Sequence, residues 1–223
     1  IGHWLSLRKP QVTIATKASV VNETPRRIDN SESHLRAELE ISLRRLNRDH
    51  VELFYIHRRD HSRPIEEVVG TLKRFIEEGK IGGYGMSEVA PDTLRRAHAV
   101  HPCAAVQNEY SLWTRQPELG LIQACAELGV AFIPFSPLAR GMLGDSPIAP
   151  PTDGFRSTNP RFTEPNFSAN TAKINQFRAF CAERGWPTPA TALAWVLSRG
   201  PHLIPIPGTR SATHLRQFAQ GAE

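Results

Sequence analysis

Three observations predict an α/β fold of parallel strands wound as a (β/α)8 TIM barrel, with about six of the eight βα units in this chain. Short β-branched runs alternate with amphipathic helical stretches, no glycine-rich phosphate loop follows the first run, and polar residues stand at the C-terminal ends of several runs. Alternation at this rhythm argues for βαβ units in a single domain over residues 1–223. An open doubly wound sheet would open its first helix with GxGxxG, whereas the nearest glycines, Gly82, Gly83 and Gly85, lie inside a strand pattern. Chemistry spread over many strand ends is the arrangement of a barrel.

The predicted strands are 12–17 (VTIATK), 53–57 (LFYIH), 81–87 (IGGYGMS), 104–108 (AAVQN), 131–136 (AFIPFS) and 203–208 (LIPIPG). Between them the stretch 33–46 sets Leu35, Leu39, Leu43 and Leu46 on one helical face. The stretches 64–78, 91–100, 118–128, 172–184 and 188–198 read as helices in the same way. The long connection 137–200 opens on a loop rich in Pro, Gly, Ser and Asn. Six strands are short of eight, and the chain opens on what reads as the end of a helix, so the domain is expected to be incomplete at its N-terminus.

The composition narrows the function classes. Residues are 40% hydrophobic and 22% charged, as in a soluble globular chain. No run approaches the ~18–20 apolar residues of a membrane span, and the opening residues lack the layout of a signal peptide. Cys103, Cys125 and Cys181 lie far apart with no CxxC pair, which reads as reduced thiols in a cytoplasmic protein without a metal site. The net charge of +5 comes from scattered basic residues rather than a block interleaved with aromatics. That argues against nucleic acid as a partner and suits a small anionic ligand.

Two residues carry the first chemistry. In VTIATK the two-residue period sets Thr13, Ala15 and Lys17 on the interior face and Val12, Ile14 and Thr16 toward the helices. A lysine at the mouth of an apolar barrel is placed to have a perturbed pKa or to lower a neighbour's. Taken alone it reads more readily as a strand-end lysine snorkelling to solvent. His57 ends its strand one layer above Tyr55 and can donate to a substrate oxygen or act as acid and base; taken alone it also reads as a structural histidine. The two are expected at one level on successive strands.

The ordered motifs ATK, LFYIHRRD, GYGMSE, AAVQNEYS, FIPFSPLARGML and IPIPGTR resemble the aldo-keto reductase superfamily over essentially the whole chain. The resemblance implies a (β/α)8 barrel that uses a nicotinamide cofactor, NADPH, to reduce the carbonyl of a small aldehyde or ketone. The family's site is a tetrad of Asp, Tyr, Lys and His, and Lys17 and His57 match its lysine and histidine. Its Asp and Tyr precede the lysine strand, yet neither residue type occurs among the sixteen residues before Lys17. Tyr55 is a poor substitute, since two residues along a strand set it roughly 6–7 Å below His57. The chain is therefore either part of an ordinary reductase or a truncated product without turnover.

The cofactor positions carry over one at a time. Ser87 and Gln107 match the pair on the nicotinamide carboxamide, and Glu88 stands where many relatives have Asn. Phe135 matches an aromatic that stacks on the nicotinamide. Ser136, Pro137, Leu138, Gly141 and Leu143 match the pyrophosphate loop. Gly208, Thr209 and Arg210 match the adenosine-phosphate segment, a guanidinium there suiting a 2′-phosphate. His214 and Gln217 fall later in it, and Phe218 replaces a usual Asn. Trp113, Phe155 and Phe162 suit substrate contacts from loops. The alternative function is an NADPH-binding regulatory subunit of the potassium-channel β type, and a third reading is a barrel fragment with no function of its own.

Overall fold

The computed structural model describes residues 1–222, which form two compact units: residues 1–108 with 117–133, and residues 109–116 with 134 onward. The first unit opens with helix α1 (Gly2–Arg8) and strand β1 (Ala15–Ala18), followed by an antiparallel pair, β2 (Val20–Val21) and β3 (Arg27–Ile28). It continues as α2 (Glu32–Leu46), β4 (Leu53–Ile56), α3 (Ile65–Glu77), β5 (Tyr84–Ser87), α4 (Pro91–Val100), β6 (Ala105–Gln107), α5 (Leu121–Leu128) and β7 (Ala131–Phe132).

Five strands form one parallel sheet in the order β1-β4-β5-β6-β7, so each new strand is laid beside the one before it. A doubly wound sheet reverses direction at a switch point; this one never does. With right-handed crossovers, a one-way winding sends every connecting helix to the same face, and α3 indeed packs on α4 and α4 on α5. This α/β winding is the barrel's.

The helices form where the apolar spacing predicts. In α2, Leu35, Leu39 and Leu43 are buried, Ser31 caps the start by accepting from the His34 amide at 3.3 Å, and Asn47 closes the end in the left-handed region at φ 55°. Helix α3 buries Val68, Val69, Leu72 and Phe75, and Phe75 meets Phe54 of β4 edge-on at 6.5 Å between centroids. On β1 the predicted alternation holds: Ala15 and Lys17 are exposed on one face, while Thr16 turns to α2 and its Oγ1 bonds Ser42 Oγ at 3.1 Å.

The strand count is corrected from six to five. The segment 203–208 forms no strand, only one parallel bridge between Ile206 and Phe135 within the second unit. Pro205 and Pro207 flank Ile206 and carry no N–H, so Ile206 alone donates, to the Pro134 carbonyl at 3.0 Å. Pro134 likewise limits β7 to two residues where six were expected.

The second unit holds α6 (Gly154–Ser157), α7 (Asn166–Ala182), α8 (Thr188–Leu197) and α9 (Ala212–Ala219). Its core gathers Ala139, Met142, Leu143, Phe162, Phe167, Ile174 and Ala192, with Leu138, Trp113 and Phe177 packed against them. Phe162, expected in a substrate loop, is thus a core residue, whereas Phe155 is 64% exposed beneath the Arg140 guanidinium. No helix among the described residues is long and apolar enough to cross a membrane. Cys103, Cys125 and Cys181 are buried and unpaired, and burial pushes the thiols of Cys103 and Cys125 up to about 12.

Candidate active site

In the first unit the sheet register builds a row across four strands: Lys17 on β1, Tyr55 on β4, Gly85 on β5 and Ala105 on β6. Gly85 is what this row requires. A Cβ there would lie 2.4 and 2.6 Å from ring carbons of Tyr55 and 2.8 Å from the Ala105 carbonyl. The Tyr55 ring fills that space, and the Lys17 ammonium lies 5.7 Å from its centroid.

Above this row, Ser87 and Gln107 pair at the ends of β5 and β6 and are nearly buried. The Lys17 ammonium donates to Gln107 Oε1, and the Tyr55 hydroxyl hydrogen-bonds the same side chain. Burial pushes the Tyr55 phenol up to about 12, so it stays protonated at neutral pH. Burial, joined by the Arg58 guanidinium, holds the Lys17 ammonium below its usual range.

His57 follows β4 directly. Its amide donates to the Ala18 carbonyl at 2.8 Å and to Ser19 Oγ at 3.1 Å. The two residues are therefore not on one rung as expected: Lys17 is registered with Tyr55, two residues below His57. Burial and then the charges of Lys17, Arg58 and Arg26 push the imidazole below its ordinary pKa, so it is neutral near pH 7.

Sequence reasoning passed over what holds this rim. Asn30, nearly buried after β3, donates to the Arg58 carbonyl at 3.1 Å and accepts the Asp60 amide at 2.8 Å. Arg58 Nη1 donates to the His57 carbonyl at 2.6 Å and to Ser87 Oγ at 3.2 Å. The turn residues NETP between two valines and Arg27-Ile28 were the available sign of the β2–β3 hairpin that presents Arg26. Glu88 sits just past β5 at φ 54°, a conformation that Asn adopts more readily.

The remaining predicted residues belong to the second unit. Ser136, Ala139, Arg140 and Gly141 all have positive φ (50°, 49°, 58° and 97°), three of them without glycine's freedom. Left-handed backbone costs such residues on the order of 1 kcal/mol each and clusters where function demands it. Two devices hold the loop. Glu109 accepts from Arg140 at 3.1 Å and Arg161 at 2.9 Å. Arg178 donates to the carbonyls of Met142 and Gly144 at 2.7 and 2.9 Å. Neither device was read from the sequence, since its partners are up to 52 residues apart.

Beside this loop lies a cavity of about 340 Å³ lined by Leu138, Gly141, Gly208, Thr209, His214 and Gln217, six of the residues expected to hold a nucleotide. Phe218 lines it too, its ring 6.5 Å from that of His214. A Cβ at Gly208 would meet nothing within 4 Å, so its backbone is open to close approach. Thr209 Oγ1 accepts the Ser211 amide at 3.0 Å, and Ser211 caps α9. Arg210 is exposed between them. Leu143 instead joins the core, Pro137 is buried, and Phe135 is tied through its backbone to Glu109 and Ile206.

The chain belongs to the aldo/keto reductase family, whose profile it matches over residues 1–223. It is 41% identical over 216 residues to a probable aldo-keto reductase 1 of Glycine max, an alignment covering 95% of this chain but 62% of that protein. The chain thus spans less than two thirds of that relative's length. Among solved structures it is similar to the glycerol dehydrogenase AKR11B4 from Gluconobacter oxydans, with a TM-score of 0.89 and 28% identity over 99% of this chain and 70% of that one. A thermostable aldo-keto reductase in complex with the inhibitor epalrestat shares the fold, with a TM-score of 0.76 at 22% identity, over 99% of this chain and 70% of that one.

Proposed function

We propose that residues 1–223 serve as one reductase domain in which NADPH reduces the carbonyl of an aldehyde or ketone. The observation that carries this reading is the 340 Å³ cavity, which gathers six residues singled out from the sequence as nucleotide contacts. Its chemistry fits the cofactor. A glycine with accessible backbone, a hydroxyl and a helix start suit phosphate, and the tilted His214–Phe218 pair suits a heterocycle. Asp145, which also lines the cavity, accepts from Gln217 at 3.0 Å. Phe218 takes the place of a polar adenine contact with a stacking one.

In this reading Leu138, Gly141, Gly208, Thr209, Arg210, His214 and Gln217 hold the adenosine end, with Ser136, Pro137 and Leu143 shaping the pyrophosphate loop. Phe135, Ser87, Glu88 and Gln107 address the nicotinamide end. NADPH, when bound, supplies the hydride. Lys17 and His57 are the catalytic pair. Lys17 keeps N–H donors beyond the one on Gln107, and the neutral imidazole of His57 offers one more, so both can bind the oxygen on which negative charge develops. The proton that completes the alcohol falls, by the family resemblance, to the tetrad tyrosine, which is not among the residues before Lys17. Tyr55 and Gln107 fix the Lys17 ammonium in place. The names of two relatives, a probable reductase and a dehydrogenase, favour catalysis over the regulatory-subunit alternative.

Titration of cofactor fluorescence tests the nucleotide end. Arg210→Glu is expected to weaken NADPH binding by about tenfold or more and NADH binding by about threefold or less; equal effects on both would remove Arg210 from the phosphate. In the protein as it occurs, Lys17→Met is expected to lower kcat by roughly a hundredfold or more while the Kd for NADPH stays unchanged. Retained turnover would end the assignment of Lys17.

A further inference from the structure

We propose that the carbonyl substrate carries an anionic group, a carboxylate or a phosphate, which Arg26, Arg58 and Arg59 hold in a cavity beside His57. The assignment rests on the reductase reading and names its substrate class. The cavity, about 410 Å³, lies wholly within the first unit and is lined by Arg26, His57, Arg58, Arg59, His61 and Glu88. Val20 and Ile28 of the β2–β3 hairpin give it an aliphatic wall. Three guanidiniums thus face one carboxylate, next to a wall suited to a carbon chain.

The nearby acids are engaged elsewhere. Asp29 and Glu23 pair with Arg27 at 2.9 and 3.7 Å, Asp60 accepts from Ser62 and lies 3.8 Å from Arg63, and Glu66 pairs with Arg96 at 2.8 Å. The side-chain bonds of Arg58 and Arg59 run to neutral oxygens: the His57 carbonyl, Ser87 Oγ and, for Arg59, Thr93 Oγ1 at 3.2 Å. These bonds anchor the two side chains and leave further N–H donors for a ligand, since a guanidinium has five. The charges acting on His57, from Lys17, Arg58 and Arg26, are all positive. An oxyanion arriving here would meet a net positive field, three guanidiniums against the Glu88 carboxylate with Glu66 acting on Arg59 from outside the cavity, and planar donors that match its geometry.

The test uses alcohols of the expected product type, which cannot condense with lysine, titrated calorimetrically into the full chain without cofactor. The probes are para-hydroxymethylbenzoate, its uncharged methyl ester, and para-hydroxymethylphenyl phosphate. At low ionic strength the benzoate or the phosphate is expected to bind about tenfold or more tighter than the ester, and whichever of the two binds better names the anion. Arg58→Gln should erase that preference. Arg26→Gln, a change on the exposed hairpin that spares the anchoring bonds, should reduce it by about threefold or more. Raising salt to about 1 M should weaken the charged probes alone. Equal affinity for acid and ester, or a preference that survives both substitutions, overturns the assignment. NADPH titration of the same sample separates the two readings. A protein that binds NADPH but shows no acid preference refutes the anionic substrate alone. One that prefers the acid but binds no NADPH refutes the reductase reading and leaves an anion site.

Discussion

Replacing Gly85 by alanine is expected to destabilise the protein by about 2–3 kcal/mol, lowering the melting temperature by roughly 5–10 °C for a chain of this size. The added methyl would stand 2.4 Å from the Tyr55 ring and 2.8 Å from the Ala105 carbonyl. Neither can yield cheaply, because Tyr55 is 2% exposed and the carbonyl belongs to the next strand. The ring must move, and with it the side chain of Gln107 that receives the Lys17 ammonium. Gly70→Ala is the control. It lies inside α3 with nothing within 4 Å of the new Cβ, so it should stabilise by about 0.5–1 kcal/mol through helix propensity. Thermal unfolding of both variants decides. A Gly85→Ala protein that melts with the parent would mean that Tyr55 does not occupy this row.

Glu109→Gln is expected to cost about 2 kcal/mol at neutral pH, through loss of its pairs with Arg140 and Arg161 and the guanidiniums left half-buried behind them. The pH dependence has a definite sign. Burial alone would raise the Glu109 carboxyl, but the hydrogen bond and charge of Arg161, aided by Arg140, hold it below its ordinary 4.5. A group with a depressed folded pKa contributes fully above its unfolded value and loses that contribution as pH falls through the folded one. Denaturant unfolding should therefore show the parent and the variant converging as pH falls below the ordinary carboxylate range and through the depressed folded pKa of Glu109. Trypsin should also cut the variant faster at Arg140, in the strained loop that Glu109 anchors. Equal stability at pH 7 would show that the pairs contribute nothing.

Short-range features were legible in the sequence. The leucine spacing marked α2, Pro91 marked the start of α4 at its first residue, and alternation on β1 separated the Lys17 face from the Thr16 face. Alternating strands and helices with no GxGxxG pointed to one-way winding, as the strand order bears out. Register was not legible. Lys17 and His57 both end their predicted runs, yet a parallel ladder can slip by two residues without changing which face is buried. The ladder itself sets Lys17 beside Tyr55. The run 203–208 looked like a strand because its side chains are β-branched or apolar, but two prolines deny it the donors that a ladder needs. The Glu109 clamp escaped because a charge pair across 52 residues leaves no periodic trace.

The one-way strand order carries a consequence for how such a chain tolerates change in length. Every interior strand borders its immediate predecessor and successor. Removing or adding a terminal βα unit therefore moves the margin of the sheet and leaves no gap in its middle. In a doubly wound sheet the oldest strand lies at the centre, and the same deletion would split it in two. A domain that lays its strands down in sequence loses or gains a unit at its rim, like a fence post at the end of the row.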